Sequence, residues 1–191
     1  MSKKSSKRFL LVLLATALSA CDQQPLEVVQ AAESPLTAPL ASVAPTQDAL
    51  LARIRAATAR YHRVEAAEAD GYQLIVLPSP PFPPGATCLP GEGVRYVRFD
   101  LYNGVVDPTE PEQLLYERLP NGVLRLAAVG FIVPAAAWNP ANGLPHLGNQ
   151  PFMDRTSPPF GAPFPNYALF AWLWMHNPDG MYTLRNPRLT C

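Results

Sequence analysis

Three histidines and a few acidic residues are the side chains of this sequence with the best prospect of doing chemistry. His62 and Glu65 are three positions apart, a spacing that puts them on one face of a helix and lets both bind one metal ion. Glu117, in a predicted strand, and His176, between a predicted strand and a turn, complete the set of candidate ligands. A surface pair, or an imidazole bonded to the backbone, explains the same residues without a metal. A metal-binding site or metal-dependent enzyme using these four residues is therefore the alternative interpretation.

Other catalytic motifs are absent from the sequence. It contains no Gly-x-Ser-x-Gly turn, no glycine-rich phosphate loop and no His-Glu-x-x-His pair. The sequence therefore favours a non-catalytic binding domain over an enzyme, and it predicts no bound cofactor apart from a covalent lipid.

The first twenty residues have the order of an export signal. A basic cluster at residues 3–8 precedes an uncharged apolar run at 9–18, which is too short to span a bilayer. The next residues, Leu18-Ser19-Ala20-Cys21, resemble the lipobox of bacterial lipoproteins, in which the cysteine thiol accepts a diacylglyceryl group. We expect a signal peptide at 1–20 and acyl chains such as palmitate on Cys21. An ordinary secretory signal with a chance cysteine is the alternative.

The rest of the chain is predicted to stand at a membrane surface in the cell envelope, facing the periplasm or the exterior. Residues 22–45 are rich in Ala, Pro and Gln and predict a disordered tether, followed by a single domain at 46–191. After residue 20 there are 11 arginines against 15 acidic residues, a net charge of −4. No basic block follows position 8, so nucleic acid is not an expected partner. We expect a monomer attached to the membrane by lipid alone.

Two cysteines remain once Cys21 is assigned to lipid. Cys88 and Cys191 form an even pair in an oxidising compartment, which predicts a disulfide between them. A bridge that closes roughly 100 residues contributes about 4.7 kcal/mol in the chain-entropy model. A redox-active pair is the alternative, but neither cysteine belongs to a Cys-x-x-Cys motif.

The hydrophobic pattern predicts one helix followed by strands. The helix extends from Thr46, its cap, to Asp70, and Gly71 ends it. The predicted strands are 72–77, 94–99, a hairpin of 113–119 and 123–129 around Asn121-Gly122, 167–175, and 181–184 after a turn at 177–180. Residues 134–165 predict a long ordered loop. The expected fold is therefore α+β, with one N-terminal amphipathic helix packed on an antiparallel sheet or small barrel, and many loops.

Several motifs resemble a widespread family of uncharacterised exported bacterial proteins. The motifs are Tyr61-His62-x-x-Glu65-Ala66-Ala67 with Gly71-Tyr72, Leu114-Leu115-Tyr116-Glu117, Val133-Pro134-Ala135, Trp172-Leu173-Trp174-x-His176-Asn177-Pro178-Asp179-Gly180-Met181, and Asn186-Pro187 before Cys191. The resemblance covers about residues 55–191 and agrees with the pairing of Cys88 and Cys191. It implies an architecture rather than a settled activity.

The departures from this family predict a ligand pocket. Family members carry histidines and acids that could hold a divalent metal where this chain has Arg95-Tyr96, Gly130-Phe131 and Asn166-Tyr167-Ala168-Leu169-Phe170; of that set only Glu117 is kept. The replacements make the face more apolar, with Arg95 as a single cation. We therefore expect a pocket for a hydrophobic or weakly acidic ligand. Its candidate residues are Arg95, Tyr96, Phe131, Phe170 and Trp172 or Trp174. Ordinary core packing of the aromatic residues is the alternative.

Overall fold

The computed structural model of the protein describes residues 46–157 and 164–191. The predicted signal peptide, Cys21 and the whole predicted tether, residues 22–45, lie outside these ranges. Within them, two short helices pack on an antiparallel sheet that does not close on itself. The predicted α+β class is confirmed, and of the two predicted forms the sheet is correct.

The helical segment begins at the predicted residue but is not continuous. Helix α1 spans Gln47–Thr58, and the Thr46 hydroxyl accepts the N–H of Ala49 at 3.3 Å. A 3-10 turn follows at Ala59–His62, and helix α2 spans Val64–Ala69. The prediction of one uninterrupted helix was therefore wrong.

The interruption at Arg63 has a tertiary cause. Arg63 has an extended backbone, with φ −99° and ψ 115°. In a continuous helix the carbonyl of Tyr61 would accept the N–H of Glu65. Here that carbonyl accepts the hydroxyl of Tyr116, a sheet residue, at 2.8 Å. This buried bond holds the turn against the sheet. Helix α2 ends at Ala69, and Gly71, with a φ of 91°, follows its cap as the predicted stop.

Nine strands follow the helices in the part of the chain that the structure describes. They are β1 (Gln73–Leu74), β2 (Cys88–Leu89), β3 (Gly93–Val97), β4 (Gln113–Arg118), β5 (Leu124–Pro134), β6 (His146–Leu147), β7 (Gln150–Pro151), β8 (Met153–Arg155) and β9 (Asn166–Ala171). Seven of them form one sheet in the order β1-β3-β4-β5-β9-β8, and β2 pairs with β3 beside β1. Strands β6 and β7 form a separate two-stranded ribbon. Every pairing is antiparallel.

The predicted hairpin is confirmed, whereas other predicted segments are shorter. Strands β4 and β5 are joined at Gly122, whose N–H donates to the Leu119 carbonyl at 2.8 Å. Of the strand predicted at 72–77, only the two residues of β1 form a strand. The strand predicted at 94–99 is β3, which ends at Val97. The segment predicted as a long loop at 134–165 contains β6, β7 and β8 among its described residues.

In place of the last predicted pair of strands, Trp172 makes two hydrogen bonds to residues 181–184. Strand β9 ends at Ala171, and residues 181–184 form no strand. The Trp172 indole N–H donates to the Thr183 carbonyl at 2.7 Å, and the Trp172 backbone N–H donates to the Met181 carbonyl at 3.0 Å. The turn at 177–180 is confirmed by a 3.1 Å bond from the Gly180 N–H to the Asn177 carbonyl.

The sheet separates two hydrophobic clusters, because successive strand residues point to opposite faces. We call the face under the helices the helix face; its cluster includes Ile54, Tyr61, Val94, Tyr96, Leu114, Tyr116, Phe131 and Leu169. We call the opposite face the far face; its cluster is Leu115, Ala127, Ala128, Ile132, Ala168, Phe170, Trp172 and Leu189. Both clusters are buried.

The C-terminal segment covers part of the far face. Cys88 and Cys191 form the predicted disulfide, with their Cα atoms 5.8 Å apart. The Gly91 N–H donates to the Leu189 carbonyl, and the Asn186 N–H donates to the Gly91 carbonyl, both at 2.9 Å. These bonds and the bridge hold residues 185–191 beside the turn that precedes β3.

Candidate functional site

Two of the four predicted metal ligands lie near each other. His62 and Glu65 are exposed and line one cavity of about 550 Å³, between the helix interruption and the β4–β5 hairpin. The His62 ring packs edge-on against Trp174, with the ring centroids 5.2 Å apart. His62 therefore has an aromatic partner, as expected of a surface histidine beside the core.

The other two predicted ligands are engaged elsewhere. Glu117 forms an ion pair with Arg125, which lies opposite it on β5. His176 is exposed, and its backbone carbonyl accepts the side-chain amide of Asn186 at 3.2 Å. Within residues 46–157 and 164–191, no three His, Cys, Asp or Glu side chains are grouped in a way that could hold a metal ion.

The predicted pocket residues do not form one wall, because they lie on both faces of the sheet. Tyr96 and Phe131 belong to the helix-face cluster, whereas Phe170 and Trp172 belong to the far-face cluster. The register explains the separation: Phe170 lies opposite Gly130 on β5, so Phe131 points the other way. The prediction of a single pocket lined by all these residues is therefore wrong. Only Arg95, Phe170 and Trp172 share the far face.

A buried glutamate forms ion pairs with two arginines at the far face. Glu92 precedes β3, and 8 % of its side chain is exposed. Its carboxylate lies 3.3 Å from a guanidinium nitrogen of Arg95 and 3.6 Å from one of Arg185. Arg95 is itself largely buried, with 16 % of its side chain exposed. One carboxylate thus serves two guanidinium groups.

A third arginine, Arg155 on β8, joins this group. Burial lowers the pKa of Arg155, the charge of Glu92 raises it, and the charges of Arg185 and Arg95 lower it further. Arg95 and Arg155 lie on strands that three other strands separate. Within residues 46–157 and 164–191 Arg155 forms no ion pair, so only Arg95 and Arg185 pair with Glu92. We call Glu92, Arg95, Arg155 and Arg185 the arginine cluster.

An aromatic side chain forms part of the far face between these strands. A Cβ atom on Gly130 would lie 2.7 Å from the Phe170 ring and 3.1 Å from the Cβ of Gln113. The absence of a side chain at Gly130 is therefore what lets the Phe170 ring lie close against β5. Phe170 is 1 % exposed.

Two buried amide side chains on the far face are incompletely bonded. Gln113 donates to the Tyr102 hydroxyl at 2.9 Å, and Asn166 donates to the Phe164 carbonyl at 2.8 Å. The Oε1 atom of Gln113 and the Oδ1 atom of Asn166 are buried and have no hydrogen-bond partner within residues 46–157 and 164–191. Such atoms are rare in native proteins because a buried, unsatisfied polar group costs free energy.

An apolar cavity of about 310 Å³ lies beside Tyr102 and Phe164, the two residues to which these amides donate. Its lining consists of Tyr102, Pro134, Ala135, Ala136, Phe164 and Pro165. The rings of Tyr102 and Phe164 pack edge to face, with centroids 5.6 Å apart. The far face thus has an arginine cluster, two buried amide oxygens and, lined by other residues, an apolar cavity.

The sequence prediction missed most of this arrangement. Of the arginine cluster it identified only Arg95, from the departure from the resembled family at Arg95-Tyr96. Arg155 and Arg185 are isolated in the sequence, and Glu92 and Gln113 carry no local signal of burial. Asn166 entered only as a departure from the family pattern. No sequence motif joins these positions, because strand register and the disulfide bring them together.

Comparison with known proteins adds no further constraint on the site. Among the described residues, no helix has the length and apolar character needed to cross a membrane. No protein family, curated protein or solved structure matches the chain.

Proposed function

We propose that the protein is a lipid-anchored protein of the bacterial cell envelope, and that its domain binds an organic acid at the far face of the sheet. The sequence supports the anchor through the basic and apolar segments before Cys21. The arginine cluster supports the ligand class. Binding at this face requires no catalytic group, and the proposal is of a binding protein.

The observation that carries the ligand class is the excess of positive charge around the buried Glu92. Glu92 pairs with the largely buried Arg95 and with Arg185, whose side chain is 69 % exposed, and the half-buried Arg155 feels the charges of all three residues. The cluster thus carries three positive charges and one negative charge. Desolvated cations without counter-charges are costly. A carboxylate ligand relieves that cost and fits the planar donor pattern of arginine. Phe170 and the neighbouring apolar cavity favour an acid with an apolar substituent.

Binding of simple acids tests the ligand class. We expect propionate, phenylacetate and 3-phenylpropionate to bind the full-length protein in detergent by titration calorimetry, and their uncharged amides to bind at least tenfold more weakly. The amides keep the shape but lose the charge that the arginines recognise. Equal binding of acid and amide, or no binding by any of the acids, would overturn the proposal.

A substitution tests the cluster without any ligand. Arg155→Met keeps much of the aliphatic stem but removes one uncompensated charge, so we expect the empty protein to gain about 1 kcal/mol of stability. The matched control is Arg125→Met, also on the sheet, which removes the partner of Glu117 and should not stabilise the protein. Thermal unfolding measures both. Equal destabilisation by the two substitutions would assign Arg155 a purely structural role.

The lipid anchor is tested separately. Cells that express the full-length chain and are fed labelled palmitate should label the protein, and Cys21→Ser should abolish the label. Labelling that persists in Cys21→Ser would contradict the anchor without affecting the proposal about the far face.

A further inference from the structure

We infer that the cavity of about 550 Å³ beside the helix interruption is a second binding site, which takes a small zwitterion with an apolar body, such as an apolar amino acid or dipeptide. We call it the hairpin cavity, because the β4–β5 hairpin forms one of its sides. Its volume is within the range of about 300–1,000 Å³ that is usual for small-molecule sites. It lies on the helix face of the sheet, so it is separate from the arginine cluster and does not depend on the proposed function.

Apolar side chains form a large part of the wall of the hairpin cavity. Leu74 on β1 is 41 % exposed and Val123 in the hairpin is 55 % exposed, so both keep apolar surface in contact with water. Val94 and Tyr96 on β3 also line the cavity, and they belong to the buried helix-face cluster. A ligand with an apolar body therefore gains free energy by covering Leu74 and Val123.

Charges of both signs line the same cavity. Glu65 on α2, Arg63 at the helix interruption and Arg118 at the end of β4 all have exposed side chains. Arg118 donates to the Thr87 hydroxyl at 3.1 Å. Within residues 46–157 and 164–191, none of the three charged groups forms an ion pair. Glu65 and Arg118 thus share one cavity without pairing with each other.

Tyr96 is influenced by the charges on both sides of the cavity. Its hydroxyl donates to Glu68, which also belongs to α2, at 3.2 Å. Burial raises the pKa of Tyr96, the charge and hydrogen bond of Glu68 raise it further, the charge of Arg118 lowers it, and the charge of Glu65 raises it. Helix α2 thus contributes acidic groups to the cavity, and the hairpin contributes an arginine.

The balance of charge decides between classes of ligand. A simple acid would place its carboxylate in a cavity that contains Glu65, and a simple amine would place its ammonium group beside Arg63 and Arg118. A zwitterion avoids both repulsions when its ammonium group faces Glu65 and its carboxylate faces Arg118. The guanidinium group suits a carboxylate, because its planar donors match the two oxygens.

Blocked derivatives of the ligand provide the test. Titration calorimetry on the full-length protein in detergent compares leucine and leucyl-leucine with their N-acetyl and C-terminal amide derivatives. Excess 3-phenylpropionate is present throughout, so that binding of a carboxylate at the arginine cluster does not enter the comparison. We expect each blocked form to bind about tenfold more weakly than its parent zwitterion, because it loses one charged contact. No binding by either zwitterion, or equal binding of the blocked forms, would overturn the inference.

Two substitutions assign the charged contacts to residues. Glu65→Gln should remove the preference for a free amino group and keep that for a free carboxylate, and Arg118→Gln should do the reverse. The matched control is Arg125→Gln on β5 of the same hairpin, outside the cavity lining, which should leave all affinities unchanged. Both preferences surviving in both folded variants would overturn the site. If a variant does not fold, the blocked derivatives on the unaltered protein decide.

The outcomes also separate this site from the far face. Failure of 3-phenylpropionate to bind the unaltered protein counts against the proposed function and leaves the preference for a zwitterion to stand. Arg155→Met, which alters the arginine cluster, should not change the affinity for leucyl-leucine. A large loss of that affinity in Arg155→Met would overturn the assignment to the hairpin cavity.

Discussion

The two faces of the sheet are both buried, but they satisfy their polar groups differently. On the helix face three buried tyrosine hydroxyls each have a partner: Tyr116 donates to the Tyr61 carbonyl, Tyr72 donates to the Pro111 carbonyl at 2.6 Å, and Tyr96 donates to Glu68. On the far face Arg95 and Arg185 share one carboxylate, and two buried amide oxygens have no partner among the described residues. A structural core needs hydrogen-bond partners for all its buried polar groups. On the far face, an acidic ligand can balance the excess positive charge of the arginine cluster.

The largest expected effect concerns the buried carboxyl group of Glu112. Glu112 lies immediately before β4 and accepts the Ile132 N–H at 3.0 Å. Burial, together with the charge of Asp107, raises its pKa from 4.5 to about 8, although backbone hydrogen bonds act in the opposite direction. The folded state therefore holds this proton more tightly than the unfolded state does.

This raised pKa predicts a loss of stability with rising pH. The contribution of Glu112 is complete below pH 4.5 and disappears as the pH rises through about 8, because the unfolded state is ionised over that interval. At 1.36 kcal/mol per pH unit, the loss is at most about 5 kcal/mol. Urea unfolding at pH 5 and pH 9 measures it, and Glu112→Gln should flatten the dependence. An equal slope in the variant would rule out Glu112 as its source.

The disulfide is expected to have the next largest effect, concentrated on the far face. Replacing both Cys88 and Cys191 by serine should cost about 2–5 kcal/mol of stability in urea unfolding. It should also weaken binding of 3-phenylpropionate, since the segment that carries Arg185 is tied down by this bridge.

Hydrogen exchange can locate the effect of removing the disulfide. The amide protons of Gly91 and Asn186 should exchange faster in the double variant, because their bonds hold the C-terminal segment in place. The amides of α1, on the helix face, should change little beyond the global loss of stability. An equal acceleration on both faces would contradict the idea that the bridge serves the far face.

A smaller effect is expected from one hydroxyl on the helix face. Tyr116→Phe leaves the buried Tyr61 carbonyl without its donor and should cost about 1–2 kcal/mol. The matched control is Tyr96→Phe, whose hydroxyl bonds the exposed Glu68 carboxylate at 3.2 Å and should cost less. Thermal unfolding measures both variants, and neither should alter acid binding. A similar cost for the two would indicate that burial of the carbonyl is not what matters.

The parts of the fold that could be predicted depend on local chemistry. Thr46 caps a helix with its own hydroxyl, Gly71 and Gly122 adopt positive φ angles, and the segment at 177–180 turns on itself. Cysteine parity in the predicted compartment was enough to pair Cys88 with Cys191, which the structure bonds. The signal peptide and lipid anchor at 1–21 also rest on local patterns and stay predictions.

Tertiary interactions decided the remaining features. The helix breaks at Arg63 because a hydroxyl 55 residues away takes the carbonyl of Tyr61. Phe131 and Phe170 were predicted to share a wall, but a register that pairs Phe170 with Gly130 puts them on opposite faces. Alternation within one strand shows which residues share a face, but only the pairing between strands relates that face to the next strand.

The far face shows the same limit most clearly. Departures from the resembled family were enough to mark Arg95 as a cation and to predict a hydrophobic or weakly acidic ligand. They could not place Arg185 beside Glu92, because the Cys88–Cys191 bridge and the C-terminal segment bring these distant positions together. Local sequence therefore accounts for turns, caps and the cysteine pair, whereas the charge excess that defines the candidate site exists only in the folded chain.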